Sequence, residues 1–206
     1  QRDIQKLEEF YQERDMVFAK VIFVEEPSVD NDYTLIFQLD EGRIKSINLS
    51  GNNVTKEYVI RREMELGVGD VFSGSKLRED LRSIYNLNYF QGVEPQLSFR
   101  EDTREVEITI NIQEKKTSSV SLGGGYGQIP GWFGFVDLFL DNIYGTAQSV
   151  LLKAQFGQLI TSYQARYHNP WMWSNRTSFT GRVWSTYGQN YLTWQRELRN
   201  GWSTAV

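Results

Sequence analysis

Charge nearly runs out at residue 116. Residues 1–116 hold 16 Lys and Arg with 23 Asp and Glu, and residues 117–206 hold only six and three. All six Trp and eleven of the 17 Gly fall in the second stretch. A shift of this size within one chain marks a change of solvent as well as of domain. The second stretch also lacks any apolar run near the ~20 residues of a membrane helix. If it meets a membrane, it does so with strands.

The remaining composition narrows the classes. There is no Cys, so neither a disulfide nor a thiolate metal site is available. A single His168, beside a predicted turn, makes no metal site. The net charge of −4 argues against a nucleic-acid partner. The opening QRDIQKLEEF is no signal peptide and reads as the interior of a helix, and the closing GWSTAV stops inside a strand-like stretch. Both ends are therefore expected to be cut from a longer protein.

Residues 43–116 read as one complete α+β module. A short strand carries Ile44 and Ile47, and Gly51-Asn52-Asn53 signals a turn. Thr55 is placed to cap a helix over about 56–65, ended by Gly67 and Gly69. A second helix over about 75–88 offers Leu77, Leu81, Ile84, Tyr85 and Leu87 as its apolar side. Two strands follow, the first with Val93, Leu97 and Phe99, the second alternating Val106, Ile108, Ile110 and Ile112 with polar residues. The order is β-α-α-β-β. Residues 1–42 repeat its second half. A helix carries Ile4, Leu7, Phe10 and Tyr11, and a strand covers about 18–25. Tyr33, Leu35, Phe37 and Leu39 align with 106, 108, 110 and 112 at an offset of 73. Tandem modules are expected, the upstream one incomplete.

From Ser118 the pattern becomes stretches of about ten residues separated by turns, at about 118–127, 132–140, 147–157, 160–168, 176–187 and 191 onward. The third is clearest. Val150, Leu152, Ala154 and Phe156 point one way, towards lipid in this reading, while Ser149, Lys153 and Gln155 point towards a lumen. Tyr and Trp near strand ends suit interfacial aromatic belts. About six strands cannot close a membrane barrel unaided, so an open sheet with two unpaired edges is expected. The fold class is thus an α+β module followed by antiparallel transmembrane β-barrel strands, divided as 1–42, 43–116 and 117–206.

Three stretches carry a resemblance to a known family. IKSINLSGNNVTKEYVIRREMELGVGDVFS (Ile44 to Ser73) and IYNLNYFQGVEP (Ile84 to Pro95) resemble a POTRA domain. SLGGGYG (Ser121 to Gly127) resembles a glycine-rich first barrel strand. DNIYGT (Asp141 to Thr146) and YHNPW (Tyr167 to Trp171) resemble periplasmic turns. In that order they resemble the BamA-type outer-membrane assembly factors. The resemblance implies an outer-membrane protein with residues 1–116 in the periplasm. It implies a barrel whose first and last strands meet at a weak seam, where unfolded outer-membrane clients are assembled. Its implied partners are those clients, accessory outer-membrane lipoproteins, periplasmic chaperones and the lipid bilayer. Polypeptide-transporting barrels of the same superfamily are the alternative.

Candidate site residues follow. Leu122, Gly123, Gly124, Gly125, Tyr126 and Gly127 would form the client-binding seam strand. Glycine weakens strand pairing there, and a free backbone edge can template an incoming strand. The bland reading is that these glycines only permit curvature. Phe18, Lys20, Ile22 and Val24 mark a possible POTRA edge, which a neighbouring module could equally cover. Ser73 and Lys76 have the spacing of some acyl enzymes, but Ser73 stands where a helix cap is expected and no partner motif follows. No catalytic residue, metal or cofactor is assigned.

Overall fold

The computed structural model describes residues 2–25, 36–100, 102–128, 131–172, 176–189 and 195–206. Tyr33, Leu35, Trp173 and Trp194 lie outside the described residues, and so do 191–194 at the expected start of the last strand. The chain divides into two compact units, Gln1–Asn53 with Ile60–Lys115, and Val54–Val59 with Lys116–Val206.

The first unit begins with α1 (Arg2–Gln12), β1 (Lys20–Glu25) and β2 (Ile36–Asp40), the two strands antiparallel. Then come β3 (Arg43–Ser50), α2 (Glu57–Arg61), α3 (Gly74–Asn86), β4 (Phe90–Arg100) and β5 (Glu105–Glu114). The three-stranded sheet runs β3-β5-β4, with β3 parallel and β4 antiparallel to the central β5. Strict alternation on β5 sends Val106, Ile108, Ile110 and Ile112 into the core with Ile60, Phe72, Leu77, Ile84 and Phe90. Ile44 and Ile47 are three residues apart, which simple pleating would place on opposite faces. A register shift between Ile44 and Ser46 absorbs the odd residue, and both are buried. Pro95 sits on the edge strand β4, where a missing donor costs the ladder little.

Two helix expectations need correction. The first helix ends at Arg61, not near 65. The Glu63 and Met64 amides make tighter bonds to the Ile60 and Arg61 carbonyls, three residues back. The next two, from Glu65 (2.8 Å) and Leu66 (3.1 Å), donate to the buried carboxylate of Asp80 on α3. On α3, Leu77 and Ile84 are buried, but Tyr85 is 54% exposed. Adjacent helical residues cannot both face the sheet squarely. Ser73 caps α3, its hydroxyl oxygen accepting from the Lys76 amide at 3.5 Å and lying 3.0 Å from the Ser75 hydroxyl.

Residues 2–40 are joined to the elements from β3 to β5 within this unit. The Phe18 ring stacks on Phe99 (4.8 Å, 10°) and meets Phe72 edge-on (4.9 Å). Arg104 donates to the Phe18 carbonyl at 2.9 Å and approaches the Asp40 carboxylate at 3.2 Å. Asp15 accepts at its carbonyl from Gly74 and pairs through its carboxylate with Arg78, both at 3.2 Å.

The second unit is an antiparallel meander of six strands: β6 (Ser119–Gly127), β7 (Gly131–Leu140), β8 (Ser149–Gly157), β9 (Ile160–Asn169), β10 (Phe179–Gln189) and β11 (Arg196–Ala205). The sheet is open, as expected of an incomplete barrel. β6 pairs only with β7 and β11 only with β10 among the described residues. The turn after β7 is held by its own backbone and by the short segment 54–59. Asn142, Tyr144 and Ala147 all take positive φ, of 50°, 51° and 62°. The buried Asn142 side chain accepts from the Ala147 amide (2.9 Å) and donates to the buried Thr55 hydroxyl (2.8 Å). Gly145 accepts from the Lys56 amide at 2.9 Å, and a side chain at Gly145 would run into the Val54 carbonyl.

Candidate functional site at the free edge of the strand sheet

Register fixes which side chains share a face of the meander. Leu122 lies opposite Val136, which lies opposite Ala154, then Tyr163. Leu138, Leu152, Ala165, Val183 and Trp202 form the neighbouring row of the same face. Val150 and Phe156 also lie on it, so Val150, Leu152, Ala154 and Phe156 share the mainly apolar face. The opposite face carries Asp137, Lys153, Arg166, His168, Arg182, Glu197 and Arg199. The one strand charge on the apolar face, Arg196, is the first residue of β11. Asp137 and Lys153 stand directly opposite and pair at 2.8 Å. Two-sided segregation of this kind, on strands of nine to eleven residues, is how a barrel wall separates hydrocarbon from water.

β6 and β11 are the two edges of this sheet, and β6 carries the glycine run. Leu122 and Tyr126 are 78% and 79% exposed. On the charged face Gly123 stands opposite Phe135 and Gly125 opposite Phe133. A Cβ at Gly123 would come within 2.8 Å of the Phe135 ring, and one at Gly125 within 3.2 Å of the Phe133 ring. At Gly124, on the other face, a Cβ would sit 2.7 Å from the Phe133 carbonyl oxygen. The glycine run therefore does more than permit curvature. It makes room for two rings and a close backbone approach. The same packing recurs where the Trp184 ring covers Gly201, its partner on β11.

The edge residues of the first unit are differently placed. Lys20, Ile22 and Val24 lie on β1, whose strand neighbour is β2. Ile22 is 48% exposed. The Val21 amide donates to the Glu8 carboxylate of α1 at 3.1 Å. Phe18 precedes the strand and is packed in the inter-module joint. The other chemical candidates are occupied structurally: Ser73 is a helix cap, and His168 Nδ1 lies 2.9 Å from the Thr180 hydroxyl. In the turn after β7, burial pushes the Asp141 carboxyl above its usual range, opposed by the Asn142 amide and by the charge of His168.

Comparison with known proteins bears on this architecture. Residues 43–115 match the family model described as POTRA, surface antigen variable number repeat. The chain is 30% identical over 158 residues to the outer membrane protein assembly factor BamA of Neorickettsia risticii (strain Illinois), an alignment covering 75% of this chain and 21% of that protein. The crystal structure of BamA from Haemophilus ducreyi lacking POTRA domains 1–3 superposes over 99% of this chain and 40% of that one, with a TM-score of 0.68 at 23% identity. The chain is of the POTRA–barrel, BamA type. A likeness in fold extends to CdiB from Escherichia coli, with a TM-score of 0.60 at 13% identity over 94% of this chain and 37% of that one. The chain spans about a fifth of the length of the curated BamA relatives it matches. The family resemblance and the fold class read from the sequence both hold. The BamA-type chain belongs to the outer membrane, with its POTRA part in the periplasm.

Sequence reading passed over several contributors to the site. Phe133 and Phe135 carry no local cue that they belong to the site, yet their partners Gly123 and Gly125 are visible in SLGGGYG once the hairpin is folded back on GWFGF. Asn142 sits inside DNIYGT without any local cue that it reaches Thr55.

Proposed function

We propose that this chain is the segment of an outer-membrane protein assembly factor that joins the last POTRA modules to the first barrel strands, divided at 1–42, 43–116 and 117–206. The edge of β6 from Leu122 to Gly127 takes up an unfolded client strand by β-augmentation. The observation that supports this reading is the glycine run on β6, the first strand of the sheet. Val150, Leu152, Ala154 and Phe156 face lipid, and Lys20, Ile22 and Val24 offer a secondary edge in the periplasm. The work is scaffolding, not catalysis, and needs no cofactor or metal. Accessory lipoproteins and periplasmic chaperones deliver the clients.

A barrel that conducts a polypeptide through its own lumen is the competing reading, supported by the likeness in fold to CdiB. Assembly is favoured because relatives 27% to 30% identical to this chain are named assembly factors. The test places single cysteines from Leu122 to Tyr126 in the full-length protein and arrests a client during assembly. Crosslinks from β6 to the client strand are expected. Normal client assembly without any such crosslink would remove β6 from the mechanism.

A further inference from the structure

We propose that Phe133 and Phe135 are positioning residues that fasten β6 to β7, leaving the opposite edge of β6 as the one that exchanges. The inference rests on the reading of β6 given above and deepens it. A run of glycines weakens a strand through its backbone, and that weakness does not distinguish one edge from the other. Bare of other contacts, β6 would leave β7 as readily as it would release an incoming strand. A strand that lets go on both sides cannot act as a template.

The two rings break that symmetry. Phe135 lies directly opposite Gly123, and Phe133 directly opposite Gly125. Both belong to β7, and each ring fills the space where a side chain on β6 would stand, at 2.8 Å and 3.2 Å from the built Cβ positions. A cross-strand aromatic laid over a glycine restores the contact that the missing side chain forfeits. The rings thus stabilise the β6–β7 ladder and add nothing on the far edge. The register is also held against a slip by two towards Ser121, which would set Phe135 against Ser121 and take its ring off the glycine it now covers. Phe139 is on the same face of the same strand but lies opposite Ser119, so it serves as the internal control.

The test uses the full-length protein in outer-membrane vesicles. A cysteine pair at Leu122 and Val136, directly opposed on the apolar face, reports the native register. A pair at Val120 and Val136 reports a slip by two. With Phe133→Ala and Phe135→Ala combined, the ratio of slipped to native disulfide should rise roughly two- to thirtyfold, the range expected for losing two cross-strand pairs. Phe139→Ala should leave the ratio unchanged, and Phe135→Trp in a Phe133→Tyr background should restore it. Phe135→Leu alone keeps the measurement available if the double variant fails to reach the membrane, with a smaller rise. An unchanged ratio in both variants overturns the proposal. A client crosslink from a cysteine at Tyr126 is read in parallel. If the ratio rises but that crosslink is missing even with both phenylalanines intact, the fastening stands and the client-strand reading of β6 falls.

Discussion

Leu151 and Leu152 offer one residue type at adjacent positions with opposite surroundings. Leu152 pairs with Leu138 and Ala165 on the apolar face, whereas Leu151 pairs with Phe139 and Arg166 on the charged face. β8 has nine residues. At about 3.3 Å per residue and a tilt near 40°, such a strand crosses about 23 Å, close to the roughly 25 Å apolar band of an outer-membrane barrel. Leu152 is the fourth residue of the nine, one place from the centre. An arginine there should cost about 2–4 kcal/mol, the penalty for a cation on the lipid face near the midplane. Leu151→Arg escapes that penalty. Its main cost is a like charge directly opposite Arg166, about 0.2–1 kcal/mol, plus the loss of a half-buried leucine's contacts. Equilibrium unfolding of the two full-length variants in bilayers should separate them by about 1–3 kcal/mol, with Leu152→Arg the less stable. Equal losses, or a larger loss at Leu151, would refute the assignment of the apolar face to lipid.

Three further outcomes are expected. Asp80→Ala should destabilise the POTRA part by about 3–4 kcal/mol in urea titration, because the Glu65 and Leu66 amides lose a charged acceptor together; a loss under about 1 kcal/mol would mean water replaces it. Burial raises the Asp141 carboxyl, so the folded protein binds a proton there more readily than the unfolded chain does. The cost of its charge is therefore present above the raised pKa and relieved as pH falls towards the ordinary carboxylate range. Asp141→Asn should stabilise the protein at neutral pH and remove that stretch of pH dependence from the unfolding curve, and a variant less stable than the parent protein at neutral pH would contradict the sign. Asn142→Ala loses two buried hydrogen bonds and the residue type that best tolerates a φ of 50°. Thermal unfolding should show a loss of about 2–3 kcal/mol, and Asn142→Gly should recover the backbone share of it alone.

What could be read from the sequence was what repeats locally. The strict alternation of Val106 to Ile112 needed no knowledge of β3 or β4, because a strand with one face buried writes its own period. The barrel strands were found within about three residues of their observed ends for a similar reason, the last one apart, where 191–194 fall outside the described residues. What stayed hidden depends on residues far apart in the chain. Helix α2 stops at Arg61 because Asp80 competes for the amides of Glu65 and Leu66. Ile44 and Ile47 share a side only through a shift of register against β5. At the edge of β6, the glycines were legible and their function was not, since the rings that fill their space arrive from the next strand.

The joint around Phe18 has a mechanical consequence. An aromatic stack, an edge-on ring contact and bonds from Arg104 and Arg78 tie residues 2–40 to the elements from β3 to β5 on several sides at once. A rotation between the two must break them together, so the connection resists bending as well as separation. Two parts linked in this manner move as one stiff piece, not as beads on a string, with none of the spread in end-to-end length that a flexible linker would introduce. Loosening Phe18 would then remove no strand pairing, yet it would blur how the two parts are held to one another.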